Sequence, residues 1–249
     1  MCRIHTLPKL HAQTYRDDNA SRLLAETFRD FRLHALKTAP GAFAASYEEE
    51  YERGLGHTIE RLAATKATHF VALSQSESES APSIDDSDLK IYGLLGGAWQ
   101  GMIVLLGPQD ESSGAVTARA DPFAGMTGVS NERRKDEAKS ADQLHYHLNG
   151  MFVVPAARGS GLGRRLVERA LWRAKMDTMR LRRDCVCTII VDEWNVAARR
   201  LYERCGFVVV CRETYVQRPR GLVHGESRSE ERIALRMELR ISVGESHVL

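Results

Sequence analysis

The sequence has no apolar run near the roughly 18 residues that a membrane span needs, and its first ten residues, MCRIHTLPKL, hold no apolar stretch of signal-peptide length. It also lacks a charge excess. The 35 basic and 33 acidic residues leave a formal net charge of +2 over 249 residues, so no global field draws the chain to nucleic acid or to a membrane surface. Cysteine is sparse. The five thiols, Cys2, Cys185, Cys187, Cys205 and Cys211, are odd in number, and one residue separates Cys185 from Cys187 where a zinc knuckle wants two to four. They read as free, buried thiols in a reducing compartment. There are no paired metal ligands and no internal repeat. The expectation from these absences is a soluble intracellular protein, cytoplasmic with the nucleus left open. What is present is a 43% hydrophobic chain, long enough for one large domain or two small ones.

Periodicity gives the element order. Leu23, Leu24, Phe28, Phe31, Leu33 and Leu36 recur at near-helical spacing and predict a helix over residues 18–38. Ser46 followed by Glu49 has the form of a capping box and opens a second helix, YEEEYERGLGHTIERLAATK. THFVALS reads as a strand. Residues 74–88 are acidic and serine-rich and read as a flexible, solvated insertion. LKIYGLLGGAWQGMIVLLG reads as one long strand with a bulge at its glycines. Residues 107–143 lack periodicity and read as a second flexible insertion. LHYHLNGMFVV is a strand, a helix runs from the following glycine loop to about Lys175, and CVCTIIV is a strand. NVAARRLYERC is a short helix stopped at Gly206, and FVVVCRETYV and RIALRMELR are strands. With a short strand allowed before the first helix, the order β-α-α-β-β-β-α-β-α-β-β describes a mixed α/β, or α+β, single domain over residues 1–249.

The segment VPAARGSGLGRRLVERAL places three glycines, Gly159, Gly161 and Gly163, between a strand and a helix. The dinucleotide fingerprint G-x-G-x-x-G fails, because Arg164 stands where the third glycine belongs. The P-loop pattern fails too, because Arg164 and Arg165 follow Gly163 in place of Lys and Ser or Thr. What remains is Arg158-x-x-Gly161-x-Gly163 at a helix N-terminus. Unpaired N–H groups and the helix dipole favour an anion there, and glycines let a pyrophosphate approach the backbone. Arg158, Arg164 and Arg165 add positive charge. The competing reading is a tight turn with arginines on the helix surface.

A second series follows the next strand: Asn195-x-x-Ala198-x-x-Leu201-Tyr202-x-x-x-Gly206-Phe207. With Val153, Pro155 and the Arg158-x-x-Gly161-x-Gly163 loop before it, this resembles the GNAT superfamily of acyl-CoA-dependent N-acetyltransferases. RLHALKTAPGAFAASYEEE is weakly similar to the first-helix region of many members, so the resemblance covers most of the chain. The 74–88 and 107–143 segments are longer than the family core needs.

The resemblance implies a central mixed, mostly antiparallel sheet with its fourth and fifth strands splayed apart, flanked by about four helices. It implies acetyl-CoA as co-substrate, its pantetheine pairing with the strand backbone at Met151, Phe152 and Val153. The pyrophosphate then falls to Arg158, Gly159, Ser160, Gly161, Leu162, Gly163 and Arg164. Asn195 matches a cofactor contact, although an Asn that opens a helix is also an N-cap. Gly150 is a place for the fourth strand to stop pairing with its neighbour, or simply makes room for a large side chain. The implied reaction is acetyl transfer to a primary amine by direct attack on the thioester. The alternative is a catalytically silent CoA-binding sensor or scaffold.

Two protons must move in that reaction. Tyr202 matches the family tyrosine that protonates the leaving thiolate, or it packs in the core. His147, on the fourth strand with His145 two residues away on the same face, is the expected base, titrating near neutrality, or it has no role. Asp192 and Glu193 are the next choices. No metal is required. The acceptor is a small-molecule or protein amine, and a homodimer is left open.

Overall fold

The computed structural model describes residues 2–10, 18–74, 87–109, 143–217 and 230–244. Among them are seven strands and six α-helices: β1 (Cys2–Thr6), α1 (Asn19–Thr38), α2 (Tyr47–Glu52), α3 (Gly54–Ala63), β2 (Ala67–Ser74), α4 (Ser87–Leu95), β3 (Ala98–Gln109), β4 (Leu144–Val153), α5 (Leu162–Leu181), β5 (Cys185–Asp192), α6 (Val196–Arg204), β6 (Val208–Gln217) and β7 (Glu230–Ile241). The strands form one mixed sheet in the order β1-β2-β3-β4-β5-β7-β6. β1/β2, β5/β7 and β6/β7 pair antiparallel, and β4/β5 pair parallel. This is the mixed, mostly antiparallel sheet that the resemblance implied. Almost all of the 74–88 and 107–143 expectations lie outside the described residues.

Two of the element expectations change. The helix expected from Ser46 is two helices, because Gly54 takes a positive φ of 69° that continues no right-handed helix. Its start is as expected: Ser46 Oγ accepts from Glu49 N–H at 3.1 Å, and Glu49 Oε2 accepts from Ser46 N–H at 3.2 Å. The long strand expected from LKIYGLLGGAW is instead α4 followed by β3. Ile91 and Leu94, three residues apart, are both buried, which is helical spacing. Gly96 and Gly97 then separate the two elements. The apolar run looked like a strand because a buried helix and a buried strand share composition.

Contacts divide the chain into two compact units. The first holds residues 1–105 and 150–169. Its core joins Leu24, Ala25 and Phe28 of α1 to Ile59 and Leu62 of α3, Val71 and Leu73 of β2, Trp99 and Met102 of β3, and Phe152 of β4. α1, α2 and α3 are also linked by charge. The Glu50 carboxylate is 3% exposed and lies 2.8 Å from Arg32 Nε, 3.3 Å from Arg61 Nη2 and 3.6 Å from Arg53 Nη1. The second unit holds residues 106–149 and 170–249. β5 and β7 pair from Cys185↔Ile241 to Asp192↔Ala234, and Cys187, Ile189, Leu235 and Met237 are buried there. Cys185 and Cys187 are buried free thiols, whereas Cys2, Cys205 and Cys211 are half-buried.

Candidate active site

The glycine loop and the end of β4 lie together in the first unit. Gly150 interrupts the strand with a positive φ of 61°. A Cβ there would make ordinary van der Waals contact, 3.5 Å from Val104 Cγ2 and 3.8 Å from Arg32 Nη1, so the glycine serves the backbone conformation. Beyond Gly150, Val154 N–H donates to Gln100 O at 2.9 Å, which ties this end of β4 to β3. Gly101 makes that approach feasible, since a Cβ on it would come within 2.9 Å of Phe152 O and of Leu166 Cδ1.

After a single 3-10 turn at Pro155–Ala157 come Gly159 and Gly161, with φ of 78° and 79°. Nothing lies within 4 Å of a Cβ built on either. Both glycines therefore serve the left-handed backbone, and both face open space. Leu162, 2% exposed, anchors the start of α5 in the core. Arg165 N–H donates to Gly161 O at 3.1 Å as a helical i→i−4 bond, so the amides of Leu162, Gly163 and Arg164 precede it without intrahelical acceptors. Ser160 Oγ turns back to Ala157 O at 2.7 Å.

The arginines differ from expectation in what they touch. Arg165 is tied to β1 rather than to the loop, its Nη2 donating to Cys2 O at 2.8 Å. Arg164 Nε pairs with Glu168 Oε1 at 2.6 Å. Arg158 Nε donates to Val153 O at 3.0 Å, and its guanidinium carbon lies 6.0 Å from the Phe152 ring centroid.

The expected catalytic side chains lie in the second unit. The parallel register of β4 with β5 runs from Leu144↔Cys185 to His147↔Thr188 and stops there, although β5 continues to Asp192 and β4 to Val153. The His147 ring is buried, and burial pushes its pKa down to about 4, below the near-neutral range expected of it. Thr188 Oγ1 donates to Tyr146 O at 3.1 Å and lies 3.0 Å from His147 Nδ1. With the hydroxyl proton so used, the network assigns the proton of the neutral imidazole to Nδ1 and the lone pair to Nε2.

Tyr202, on α6, is 4% exposed and packs edge-on to Phe207 at 6.0 Å. Burial raises the pKa of its phenol and keeps it protonated. Asn195 caps α6, its Oδ1 accepting from Ala198 N–H at 3.1 Å. Asp192 is fully committed: Oδ2 accepts from the Tyr215 hydroxyl at 2.7 Å and Arg232 Nη1 at 2.9 Å, and Oδ1 accepts from Trp194 N–H at 2.9 Å. That leaves it a poor choice of base. The sequence offered no sign of these partners, which are 23 and 40 residues away. Among the described residues no group of three potential metal ligands occurs, and no helix is long and apolar enough to cross a membrane.

Residues 90–207 match the sequence model of the acetyltransferase (GNAT) family. No curated protein matches the chain at a significant level. Among solved structures, Arabidopsis thaliana NAA60 in complex with a bisubstrate analogue is 13% identical, with 96% of this chain and 100% of the other covered and a TM-score of 0.50. The ribosomal-protein-S18-alanine N-acetyltransferase from Escherichia coli is 14% identical over 100% of this chain and 99% of its own, with a TM-score of 0.47. Spermidine N-acetyltransferase from Vibrio cholerae in complex with CoA and spermine is 14% identical over 96% and 95%, with a TM-score of 0.46. The first of these likenesses is a likeness of fold.

Proposed function

We propose, from the match of residues 90–207 to the acetyltransferase (GNAT) family model, that the protein transfers an acetyl group from acetyl-CoA to a primary amine by direct attack on the thioester. The observation that carries the proposal is the glycine loop. It puts two left-handed glycines and an uncapped helix start immediately after a kinked strand, which suits a pyrophosphate next to an extended thiol arm.

In this reading the amides of Gly159 to Arg164 hold the pyrophosphate, and the backbone of Met151, Phe152 and Val153 pairs with the pantetheine. A strand N–H donates to the thioester oxygen as it gains charge, a contribution of about 2.7–4 kcal/mol for one donor. The amine nitrogen forms a bond to the acetyl carbon, the carbon–sulfur bond breaks, and the amine loses one proton while the thiolate gains one. Tyr202 supplies the thiolate proton. His147 takes the role of acceptor to the amine. Held neutral at physiological pH, it offers the Nε2 lone pair at every pH above about 4 and contributes no ionisation near neutrality.

The test is release of free thiol from acetyl-CoA across a panel of primary amines. A transferase releases thiol only when an amine is present, and a silent CoA-binding module binds acetyl-CoA without releasing any. Replacing Tyr202 by Phe keeps the ring and removes the proton, so kcat should fall by roughly 10²–10⁴ while the affinity for acetyl-CoA holds. An unchanged kcat would leave Tyr202 with packing alone.

A further inference from the structure

The cluster around Glu50 is richer in positive charge than an ion pair needs. One buried carboxylate meets three guanidiniums within 4 Å: Arg32 from α1, Arg61 from α3, and Arg53 between α2 and α3. Two positive charges stay uncompensated within it. Among the described residues, no second carboxylate lies within 4 Å of these three guanidiniums. Arg61 Nη2 also reaches His57 Nε2 at 3.1 Å, a contact that needs a neutral imidazole.

The surroundings register the same excess. Arg61 is pushed down to about 10, by burial first and then by Arg32. His57 is lowered by burial and then by Arg61. His69 falls to about 3 through burial, with Lys9, Arg61 and Arg32 adding to it. His69 is 3% exposed, and its Nε2 has no hydrogen-bond partner among the described residues.

The cluster is placed to take part in the reaction. Arg32 Nη1 lies 3.8 Å from where a Cβ on Gly150 would be. Arg32 thus reaches the kink of β4, one residue before the Met151 backbone assigned to the thiol arm. Their own exposure is graded: the side chains of Arg32, Arg61 and Arg53 are 12%, 24% and 45% exposed. Guanidiniums pre-set by a buried carboxylate present planar donor forks at low entropic cost, which is the geometry that binds carboxylates best.

We propose that Arg32, Arg53 and Arg61, arrayed on Glu50, form a carboxylate-binding subsite, so that the acceptor is an amine that also carries a carboxylate. The assignment rests on the acetyltransferase reading above. The carboxylate belongs either to a free amino acid or to an acidic residue beside a peptide amine. Plain alkylamines and polyamines lack the group and would meet an excess of like charge.

The experiment titrates acceptors onto the full chain with CoA present and, separately, follows thiol release from acetyl-CoA. Three acceptors share one chain length: 4-aminobutyrate, butylamine and 1,4-diaminobutane. L-Leucine against L-leucinamide tests an α-carboxylate, and the peptide amide Ser-Glu-Gly against Ser-Gln-Gly tests a side-chain carboxylate. The expected result is a preference of at least about tenfold for the acid in one of these pairs, the size of one charge-assisted hydrogen bond. Arg53→Gln should cut that acid-to-neutral ratio about tenfold, and Arg53→Lys should restore part of it. Arg53 is the half-exposed member, so Arg32 and Arg61 still neutralise Glu50 in the variant. Equal binding and turnover of acids and their neutral partners would overturn the subsite, as would a ratio that Arg53→Gln leaves unchanged. A carboxylate preference in binding without thiol release from any amine would support the subsite and overturn the transferase reading.

Discussion

Two strand-to-helix junctions in this chain do the same topological job with opposite means. The junction from β4 to α5 is made of backbone. Gly159 and Gly161 adopt positive φ facing open space, and the first amides of α5 are left without a side-chain cap. The junction from β5 to α6 is made of side chains. Asp192 collects the Tyr215 hydroxyl, the Arg232 guanidinium and the Trp194 amide, and Asn195 caps α6. The first leaves donors for something else to satisfy. The second satisfies its own. A helix start whose N-cap position is a glycine forgoes some of the stability that a side-chain cap supplies, and the contrast fits the binding role proposed for the first junction and a bracing role for the second. Changes at the brace should therefore move stability, and changes at the socket should move ligand affinity.

The largest effect is expected at the brace. Asp192→Ala removes the acceptor for three donors and leaves Arg232, whose side chain is 20% exposed, without its carboxylate. Breaking such a pair typically costs about 3–5 kcal/mol, read as a large drop in the denaturation midpoint. A variant as stable as the parent would mean that Asp192 is not the brace.

The next effect is a pH dependence. His147 is lowered to about 4, so between pH 6.5 and about 4 the unfolded chain binds a proton that the folded chain refuses. Stability is full above the unfolded value of 6.5 and is lost as pH falls toward 4. From pH 7 to pH 5 the loss is on the order of 2 kcal/mol for this group, and His69, lowered to about 3, adds to it with the same sign. Denaturant titrations at the two pH values measure it, and His147→Gln should shrink the difference. The same burial means that kcat/KM between pH 6 and 8 owes nothing to His147 ionisation. A near-neutral limb that vanishes in His147→Gln would restore the base expected from the sequence. Smallest is Asn195→Ala, which removes one cap and should cost about 1 kcal/mol with acetyl-CoA affinity kept. A fall in affinity instead would make Asn195 a cofactor contact.

The glycine loop was legible because its information is local. A strand, two glycines and a helix sit within 20 residues, and positive φ selects glycine whatever surrounds it. The sheet was legible from the period-2 runs, and the capping box from Ser46 and Glu49. What failed was what depends on distant partners. α4 read as strand because only tertiary burial of Ile91 and Leu94 distinguishes it. The lowered pKa of His147 follows from burial, which alternation along one strand cannot supply. Arg165 looked like a loop cation and instead holds Cys2, 163 residues away. The Glu50 cluster gathers arginines from residues 32, 53 and 61, and only the Glu50–Arg53 spacing is visible in one dimension.

The most direct test of the account is a calorimetric titration of acetyl-CoA, with ATP and NAD as controls, into the parent and into Gly161→Asp. Asp tolerates the left-handed region better than most residues, and nothing lies within 4 Å of its Cβ, so the variant should fold. Its carboxylate would face the pyrophosphate at the helix start. The account predicts that the parent binds acetyl-CoA in preference to both controls and that Gly161→Asp weakens this binding by about 10²-fold or more, the cost of setting a like charge against a charge-assisted contact. Undiminished acetyl-CoA affinity in a folded Gly161→Asp, or a parent that binds no acetyl-CoA, would contradict it.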